Sequence, residues 1–162
     1  MSKERKRRLE RYLDGLAAKR LQTQSEAERK EAERKAFHEG FMKVRDTVIR
    51  PAFQSASIPF AERGLGADID VDDSLHSCAI KLRLDLESDM RAELGFRVDH
   101  RKRAVRVGRV VGPLREVGSV GVYTMGALVG EFELNDITAD LVEAQLNDFI
   151  DFMLKAAARM RS

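Results

Sequence analysis

The fold is decided by a stretch of alternating sequence near the middle of the chain, CAIKLRLDLE at residues 78–87. Apolar side chains occupy every second position from Cys78 to Leu86, and most positions between them are charged. Successive side chains of a β-strand point to opposite faces, so this period of two predicts a strand with one apolar and one charged face. We expect helices to cover the apolar face and solvent to meet the charged face.

Alternation on both sides of this stretch extends the strand to a sheet. Residues 67–72 alternate apolar residues with aspartates, residues 94–99 show the same period, and His100-Arg101-Lys102 predicts a hairpin turn. Short connections favour antiparallel neighbours, because parallel strands need long crossovers. Glycines between Val117 and Leu134 predict one or two further strands with bends. The prediction is five or six mainly antiparallel strands within residues 67–134.

Two segments of helical periodicity flank the predicted sheet. Phe37 and Phe41 begin an apolar face that continues over residues 37–57, and a second apolar stripe runs along residues 138–160. Both helices are expected to pack on one face of the sheet, which makes residues 37–162 an α+β domain.

Pro51 lies inside the first of these helices. Its ring clashes with the preceding turn and it lacks a backbone N–H, so the sequence predicts either an end or a kink there. Because the apolar face continues at Phe53 and Ala56, we favour the kink. The helix is expected to be over by Pro59.

Residues 1–36 are predicted to form a charged helical arm. Leu9, Leu13 and Leu16 recur at helical spacing, whereas residues 26–35 repeat the sequence EAERK and offer only alanine as an apolar residue. The sustained apolar positions of a coiled coil are missing. The arm therefore has too little apolar surface to fold alone, and its leucines are expected to need a partner.

A break or kink is predicted near the middle of the arm. The stretch QTQS at residues 22–25 interrupts the apolar face, and Ser25 followed by Glu28 has the spacing of a capping box. In such a box the hydroxyl and the carboxylate accept from backbone N–H groups that are unpaired at a helix N-terminus.

Charge is distributed unevenly along a chain whose net charge is +2. Residues 1–20 carry eight basic and three acidic side chains, and residues 97–115 carry seven and one. The two basic clusters, at residues 3–11 and 97–109, supply the candidate contact residues Lys6, Arg7, Arg8, Arg11, Arg101, Lys102, Arg103 and Arg106. Such clusters can bind phosphate groups or acidic protein surfaces. Aromatic residues do not interleave with them, which argues against stacking on single-stranded nucleic acid.

Two segments invite a metal-site interpretation that their spacing does not favour. The segment DIDVD at residues 68–72 has the alternating aspartates of a calcium loop, but Asp73 stands where that loop needs glycine and Ala79 where it needs glutamate. A weaker alternative combines Asp72, Asp73 and His76. No nucleophile or phosphate-binding motif is present. We therefore expect no metal, no cofactor and no enzymatic activity.

Composition argues against a membrane protein or a secreted one. No apolar run approaches the roughly 20 residues that cross a bilayer, and no apolar stretch follows the basic N-terminus as in a secretory signal. The one cysteine, Cys78, fits a buried position within a strand. We expect a cytoplasmic protein.

These patterns favour a non-enzymatic protein-interaction or assembly module. It is expected to form homo-oligomers, or to bind another protein, through Leu9, Leu13 and Leu16 of the arm or through an open sheet edge. The alternative is a nucleic-acid-binding accessory protein that uses the basic clusters at residues 3–11 and 97–109.

Overall fold

The computed structural model of the chain describes residues 2–87, 89–113 and 127–161. It has the predicted α+β architecture, with a long N-terminal helix, a five-stranded antiparallel sheet and a C-terminal helix packed against the sheet. Internal contacts divide the chain into two compact units, residues 1–36 and residues 37–162.

Helix α1 (Lys3–Val44) runs without interruption through the polar stretch where the sequence predicts a break. Thr23 Oγ1 donates to the carbonyl of Lys19 at 2.9 Å, and the side-chain amide of Gln24 donates to the Glu28 carboxylate at 3.4 Å. These bonds connect residues one helical turn apart, so they occupy polar side chains within a continuous helix. The predicted break is wrong, because these polar residues bond along the helix instead of capping a new one.

Pro51 does not end the helical segment. A π-helical turn, Arg45–Ile49, joins α1 to helix α2, Arg50–Glu62. A proline ring clashes with the carbonyl four residues before it and offers no N–H, so a wider turn in front of it relieves the clash. The backbone N–H at position 50 accordingly donates to the carbonyl at position 45, five residues earlier. The helix also continues past Pro59, so its predicted end is wrong; a proline in the last turn removes only one intrahelical bond.

The widened turn decides which side chains face the core. Four side chains at every fourth position are buried: Phe41, Arg45, Ile49 and Phe53. In a regular helix every fourth residue rotates by about 40°, so such a row would leave the core after two steps. Regular helical spacing from Phe37 and Phe41 would also place Val48 and Ala52 on the core face, and both are only partly buried. The extra residue of the π turn shifts the face by one position.

The sheet is a meander in which each strand pairs antiparallel with the next. Its strands are β1 (Ala67–Asp72), β2 (Ala79–Asp85), β3 (Met90–Asp99), β4 (Ala104–Pro113) and β5 (Ala127–Phe132). The count within the described residues is five, and β1 and β5 are the edge strands. Of the strands predicted between Val117 and Leu134, β5 forms the later part, and residues 114–126 lie outside the described residues.

One face of the sheet carries the core. Helix α2 contacts β1 and β2, helix α3 (Ala139–Arg161) contacts β3 and β4, and the two helices contact each other. Phe53 of α2 packs against Phe96 of β3, with ring centroids 5.9 Å apart. Cys78 is fully buried in this core, as the sequence predicts. Both helices therefore cover the same face, and the opposite face carries the alternating charged residues.

Candidate interaction surfaces

The arm presents a contiguous apolar stripe. Leu9, Tyr12 and Leu13 are 45%, 64% and 51% exposed, and Leu16 is partly exposed. Their spacings of three and four residues place them on one side of the helix, over a length of about 10 Å. We call these four residues the leucine stripe. The three leucines are those that sequence reasoning selected, and Tyr12 joins them.

Leu21 is also exposed, but it lies off this stripe. Five residues beyond Leu16, it is rotated by about 140° around the helix axis from Leu16 and is 67% exposed. It therefore offers a leucine of similar exposure on another side of the same arm.

The first basic cluster lies on the same stretch of α1 as the leucine stripe. At about 100° per residue, Lys6 and Arg8 flank the stripe, whereas Arg7 and Arg11 lie on the opposite side of the helix. Lys6, Arg7, Arg8 and Arg11 are all exposed on α1. Arg8 Nη2 lies 3.0 Å from Glu4 Oε1, but both side chains are mostly exposed. An exposed pair of this kind stabilises by at most about 1 kcal/mol, so it does not prevent Arg8 from meeting another anion.

The second basic cluster is centred on the turn between β3 and β4. Arg101, Lys102 and Arg103 are exposed at its tip. The carboxylate of Asp99 accepts from the backbone N–H groups of the first two, at 3.0 and 3.2 Å, which fixes the path of the turn. Arg103 has a positive φ of 48°, a conformation that costs a non-glycine residue some strain.

Part of this second cluster is already engaged by other elements. Lys102 Nζ lies 3.4 Å from Glu131 Oε1 on β5, and Arg106 Nε lies 3.8 Å from the same atom. Arg109 has its guanidinium 4.4 Å from the ring centroid of Phe152, on α3. The sequence placed these cations in one cluster, whereas the fold brings Lys102 and Arg106 to one carboxylate on β5 and Arg109 to a ring on α3.

Four charged residues form a network on the sheet face opposite the helices. Lys81 and Glu93 are only 1% and 4% exposed, with Nζ and Oε2 4.0 Å apart. Arg83 bridges Glu93 and Asp70, at 2.8 Å in each case. Burial lowers the pKa of Lys81, and the Glu93 carboxylate partly opposes that shift. Sequence alternation predicted a solvated face here and gave no signal that its centre is buried.

A second buried charge links the π turn to the loop between β1 and β2. Arg45 is 2% exposed, with Nη1 2.6 Å from Asp73 Oδ1 and 3.3 Å from the carbonyl oxygen of Asp72. Its Nε lies 3.0 Å from Asp46 Oδ1, and this guanidinium is the main reason that the pKa of Asp46 is lowered. The guanidinium also contacts Cys78 Sγ at 3.7 Å. These contacts join two segments that are distant in sequence, so we assign Arg45 a role in stabilising the fold.

The residues of the metal-site alternative are engaged in the same loop. Asp72 accepts from Ser77 Oγ at 2.7 Å and from the backbone N–H of Ser74 at 2.8 Å, and Asp73 pairs with Arg45. His76 is exposed. Across residues 2–87, 89–113 and 127–161, the structure brings together no group of three side chains suited to a metal ion.

The surface also has a shallow depression at the end of α2. It encloses about 250 Å³ and is lined by Pro59, Phe60, Arg63 and Leu65. The charged side chain in the lining of this depression is already hydrogen-bonded, because Arg63 Nη1 donates to the carbonyl of Pro59 at 2.9 Å. An apolar hollow without convergent polar groups lacks the features of a small-molecule site.

Comparison with known proteins does not identify a function for these surfaces. No family model matches the chain, and no curated protein or solved structure matches it. Among the helices within the described ranges, none has the length and apolarity to span a bilayer. The function is therefore argued from the surfaces themselves.

Proposed function

We propose that the chain is a non-enzymatic protein-interaction module that self-associates through the leucine stripe of its arm. The observation that carries this proposal is the exposure of Leu9, Tyr12 and Leu13 on one side of a highly charged helix. Single exposed apolar residues are common on protein surfaces. A contiguous apolar row rimmed by charge is instead typical of a surface that packs against another chain.

The size of the stripe sets the expected affinity. Fully burying a leucine-sized side chain contributes about 1.5–3 kcal/mol, and the stripe residues are already about half covered. Association costs about 4–15 kcal/mol in lost freedom of motion. A pair of stripes exceeds that cost only modestly, so we expect a concentration-dependent complex with a Kd in the micromolar range or weaker.

The sheet edge is the other surface proposed for assembly. Of the two edge strands, β1 carries Asp68 and Asp70, and such charges discourage edge-to-edge pairing. Strand β5 carries Leu128 and Val129, which are 50% and 37% exposed. Edge association would therefore use β5.

Sedimentation velocity over a range of concentrations tests the proposal and separates the two surfaces. Leu13→Asp should abolish concentration-dependent association, because it places a charge in the centre of the stripe. Leu21→Asp is the matched control and should associate like the unmodified chain. Loss of association in Leu128→Lys alone would move the interface to β5, and a monomer at every concentration would overturn self-association.

Nucleic-acid binding is a second candidate, favoured by the exposure of Arg101, Lys102 and Arg103 at a protruding turn. Phosphate contacts by such side chains position a protein on nucleic acid and make its affinity fall steeply with salt. The pairing of Lys102 with Glu131 reduces the charge that is available. Both basic clusters would contact phosphate groups, so the arm, which carries the first cluster, would take part in nucleic-acid binding as well.

Fluorescence anisotropy with labelled single- and double-stranded DNA and RNA tests this candidate at about 50 and 200 mM salt. Salt-sensitive binding that is lost on replacing Arg101, Lys102 and Arg103 together by alanine would support it. Loss on removing residues 1–24 would assign the binding to the arm. Absence of binding at the lower salt concentration would reject it and leave the basic residues as contacts for acidic protein surfaces.

A further inference from the structure

We propose that the stripe side of the arm binds the surface of an anionic lipid membrane. Membrane binding goes beyond the self-association proposed above and does not depend on it. Its basis is the distribution of charge around the axis of α1. All of the excess positive charge of residues 3–21 lies on the side of the helix that carries the leucine stripe.

The stripe side of the arm carries only basic charges. Successive residues of an α-helix are about 100° apart around its axis, and the centre of the stripe lies at an angle between those of Leu9 and Leu16. Within about 90° of that centre, residues 3–21 have no acidic side chain and five basic ones: Arg5, Lys6, Arg8, Lys19 and Arg20. All five are exposed.

The opposite side of the same segment is neutral. It carries the segment's three acidic residues and its three remaining basic ones: Glu4, Glu10, Asp14, Lys3, Arg7 and Arg11. Arg8 contacts Glu4 at the border between the two sides, but both side chains are mostly exposed. A partner that meets the stripe side therefore meets five cations, and charge complementarity requires that partner to be anionic.

Cations lie at both ends of the stripe as well as along its sides. Arg5 is one turn before Leu9, and Arg20 is one turn after Leu16. Such an enclosed apolar patch suits a flat surface whose negative charges cover an apolar layer, which is the structure of an anionic bilayer. The leucines would enter the boundary of the acyl layer, while the long basic side chains keep their charges at the level of the headgroups.

The leucines favour a lipid surface over nucleic acid. Phosphates of a nucleic acid would meet the five cations but leave the leucines in water. Stacking on bases needs aromatic rings, and Tyr12 is the one ring of the stripe. Lipid binding of this kind requires no helix that spans the bilayer, because an amphipathic helix lies in the plane of the surface.

Binding of the full chain to lipid vesicles tests the inference. The vesicles contain phosphatidylcholine alone, or phosphatidylcholine and phosphatidylserine in equal parts, and co-sedimentation measures the affinity. Tyr12→Trp gives the chain its only tryptophan, whose emission shifts to shorter wavelength when the ring leaves water. We expect binding and this shift with the anionic vesicles but not with the neutral ones. Both should be lost at about 1 M salt, where the Debye length is only about 3 Å.

Two matched pairs of arginines separate the stripe side from charge in general. Arg5→Gln with Arg20→Gln removes two cations from the stripe side, and Arg7→Gln with Arg11→Gln removes two from the opposite side. A basic side chain at an anionic surface contributes about fivefold in affinity, so the first pair should weaken vesicle binding about 25-fold. The opposite side lies farther away by a helix diameter of about 10 Å, which exceeds the Debye length of about 8 Å. The second pair should therefore weaken binding only about threefold.

Three results would overturn the inference. Equal weakening by both pairs would show attraction without a preferred side of the helix. Binding to labelled double-stranded DNA without binding to anionic vesicles would assign the cations to nucleic acid. Absence of vesicle binding at about 50 mM salt, where attraction between charges is least screened, would leave an acidic protein surface as the partner. Self-association is read separately, by sedimentation velocity without vesicles, so either proposal can fail while the other stands.

Discussion

The arm and the sheet use the same charged residue types with opposite results. In the arm, Glu4 and Arg8 pair across one helical turn with both side chains exposed, so their charges meet water. In the sheet, Lys81 and Glu93 lie next to each other with almost no exposure, so their charges are balanced within the protein and not by water. The comparison teaches that charge content alone does not separate a binding surface from an internal network. Burial separates them, and it can be tested by matched substitutions.

The largest expected effect is from removing the carboxylate at the centre of the buried network. Glu93→Gln keeps the shape of the side chain but removes the negative charge 4.0 Å from Lys81 Nζ, and it leaves Arg83 with one carboxylate fewer. Breaking a buried pair from one side typically costs about 3–5 kcal/mol. We expect a loss of this size in the free energy of unfolding, measured by urea denaturation.

The matched change in the arm is Glu31→Gln. Glu31 forms a 4.0 Å pair with Arg34, and half of the glutamate side chain is exposed. An exposed helical pair is worth about 0.3–0.5 kcal/mol, so this change should leave the urea midpoint almost unmoved. If the two substitutions cost the same, burial would not be what separates the two regions.

Arg45 provides the next largest effect, because it is a buried charge on the helical side of the domain. Arg45→Met keeps the apolar bulk but removes the contacts to Asp46, Asp73 and the Asp72 carbonyl. Hydrogen bonds to charged groups contribute about 1.5–3 kcal/mol, and the exposed carboxylates regain water, so we expect a loss of about 2 kcal/mol. Thermal unfolding measures it.

Two controls sharpen this second prediction. Arg45→Lys should recover little, because an ammonium cannot reproduce the fork of the guanidinium. Arg8→Met removes an exposed arginine from the arm and should not shift the unfolding temperature. Full stability of Arg45→Met would mean that the packing of the π turn, and not its ion pairs, holds the two segments together.

A smaller effect should appear as a dependence on pH. Burial opposes ionisation of Asp72, but hydrogen bonds from Ser77 and Ser74 outweigh it and lower the pKa of this carboxyl. A lowered folded-state pKa contributes stability that is present above the unfolded value of about 3.9 and is lost as pH falls through the folded value. Asp72→Asn should therefore cost about 1 kcal/mol at pH 7 and less at pH 3.

The same comparison in the arm uses Asp14→Asn, a substitution of an exposed carboxylate. Its unfolding curves at pH 7 and pH 3 should differ by as much as those of the unmodified chain. A constant deficit of Asp72→Asn at both pH values would show that the carboxylate acts through shape and not through charge.

The predictable part of this fold is what alternation and helical spacing encode. Ile80, Leu82 and Leu84 alternate with charged residues, and all three are buried on the core face as that pattern predicts. The pattern could not reveal that Lys81 is also buried, because period two separates faces without stating whether each face is covered. The burial of a charged residue is a tertiary property.

The helical part shows the same limit at two positions. Pro51 predicts a disturbance but not its form: a π turn shifts the core face by one residue, so Ile49 and Phe53 are fully buried, whereas Val48 and Ala52 are only partly buried. The hydroxyl of Thr23 donates to the carbonyl of Lys19 within a continuous helix. The same residue types also occur at helix starts, so the capping pattern alone could not distinguish the two cases. Spacing placed the candidate leucines of the arm on one side of the helix, and the low apolar content of residues 1–36 predicted that the arm itself would not cover them.

The smallest expected effect on folding belongs to the change expected to matter most for assembly. Leu13→Asp alters a side chain that is 51% exposed, so it should change the free energy of unfolding by no more than about 0.5 kcal/mol at concentrations where the chain is monomeric. At high concentration the unmodified chain should gain stability from association, because a partner that binds only the folded state shifts the unfolding equilibrium. The variant should gain none. Unfolding measured at both concentrations therefore separates the regions: Glu93→Gln should be destabilised at both, and Leu13→Asp only where the unmodified chain associates. Destabilisation of Leu13→Asp at low concentration would place the stripe within the folded structure and remove it as a binding surface.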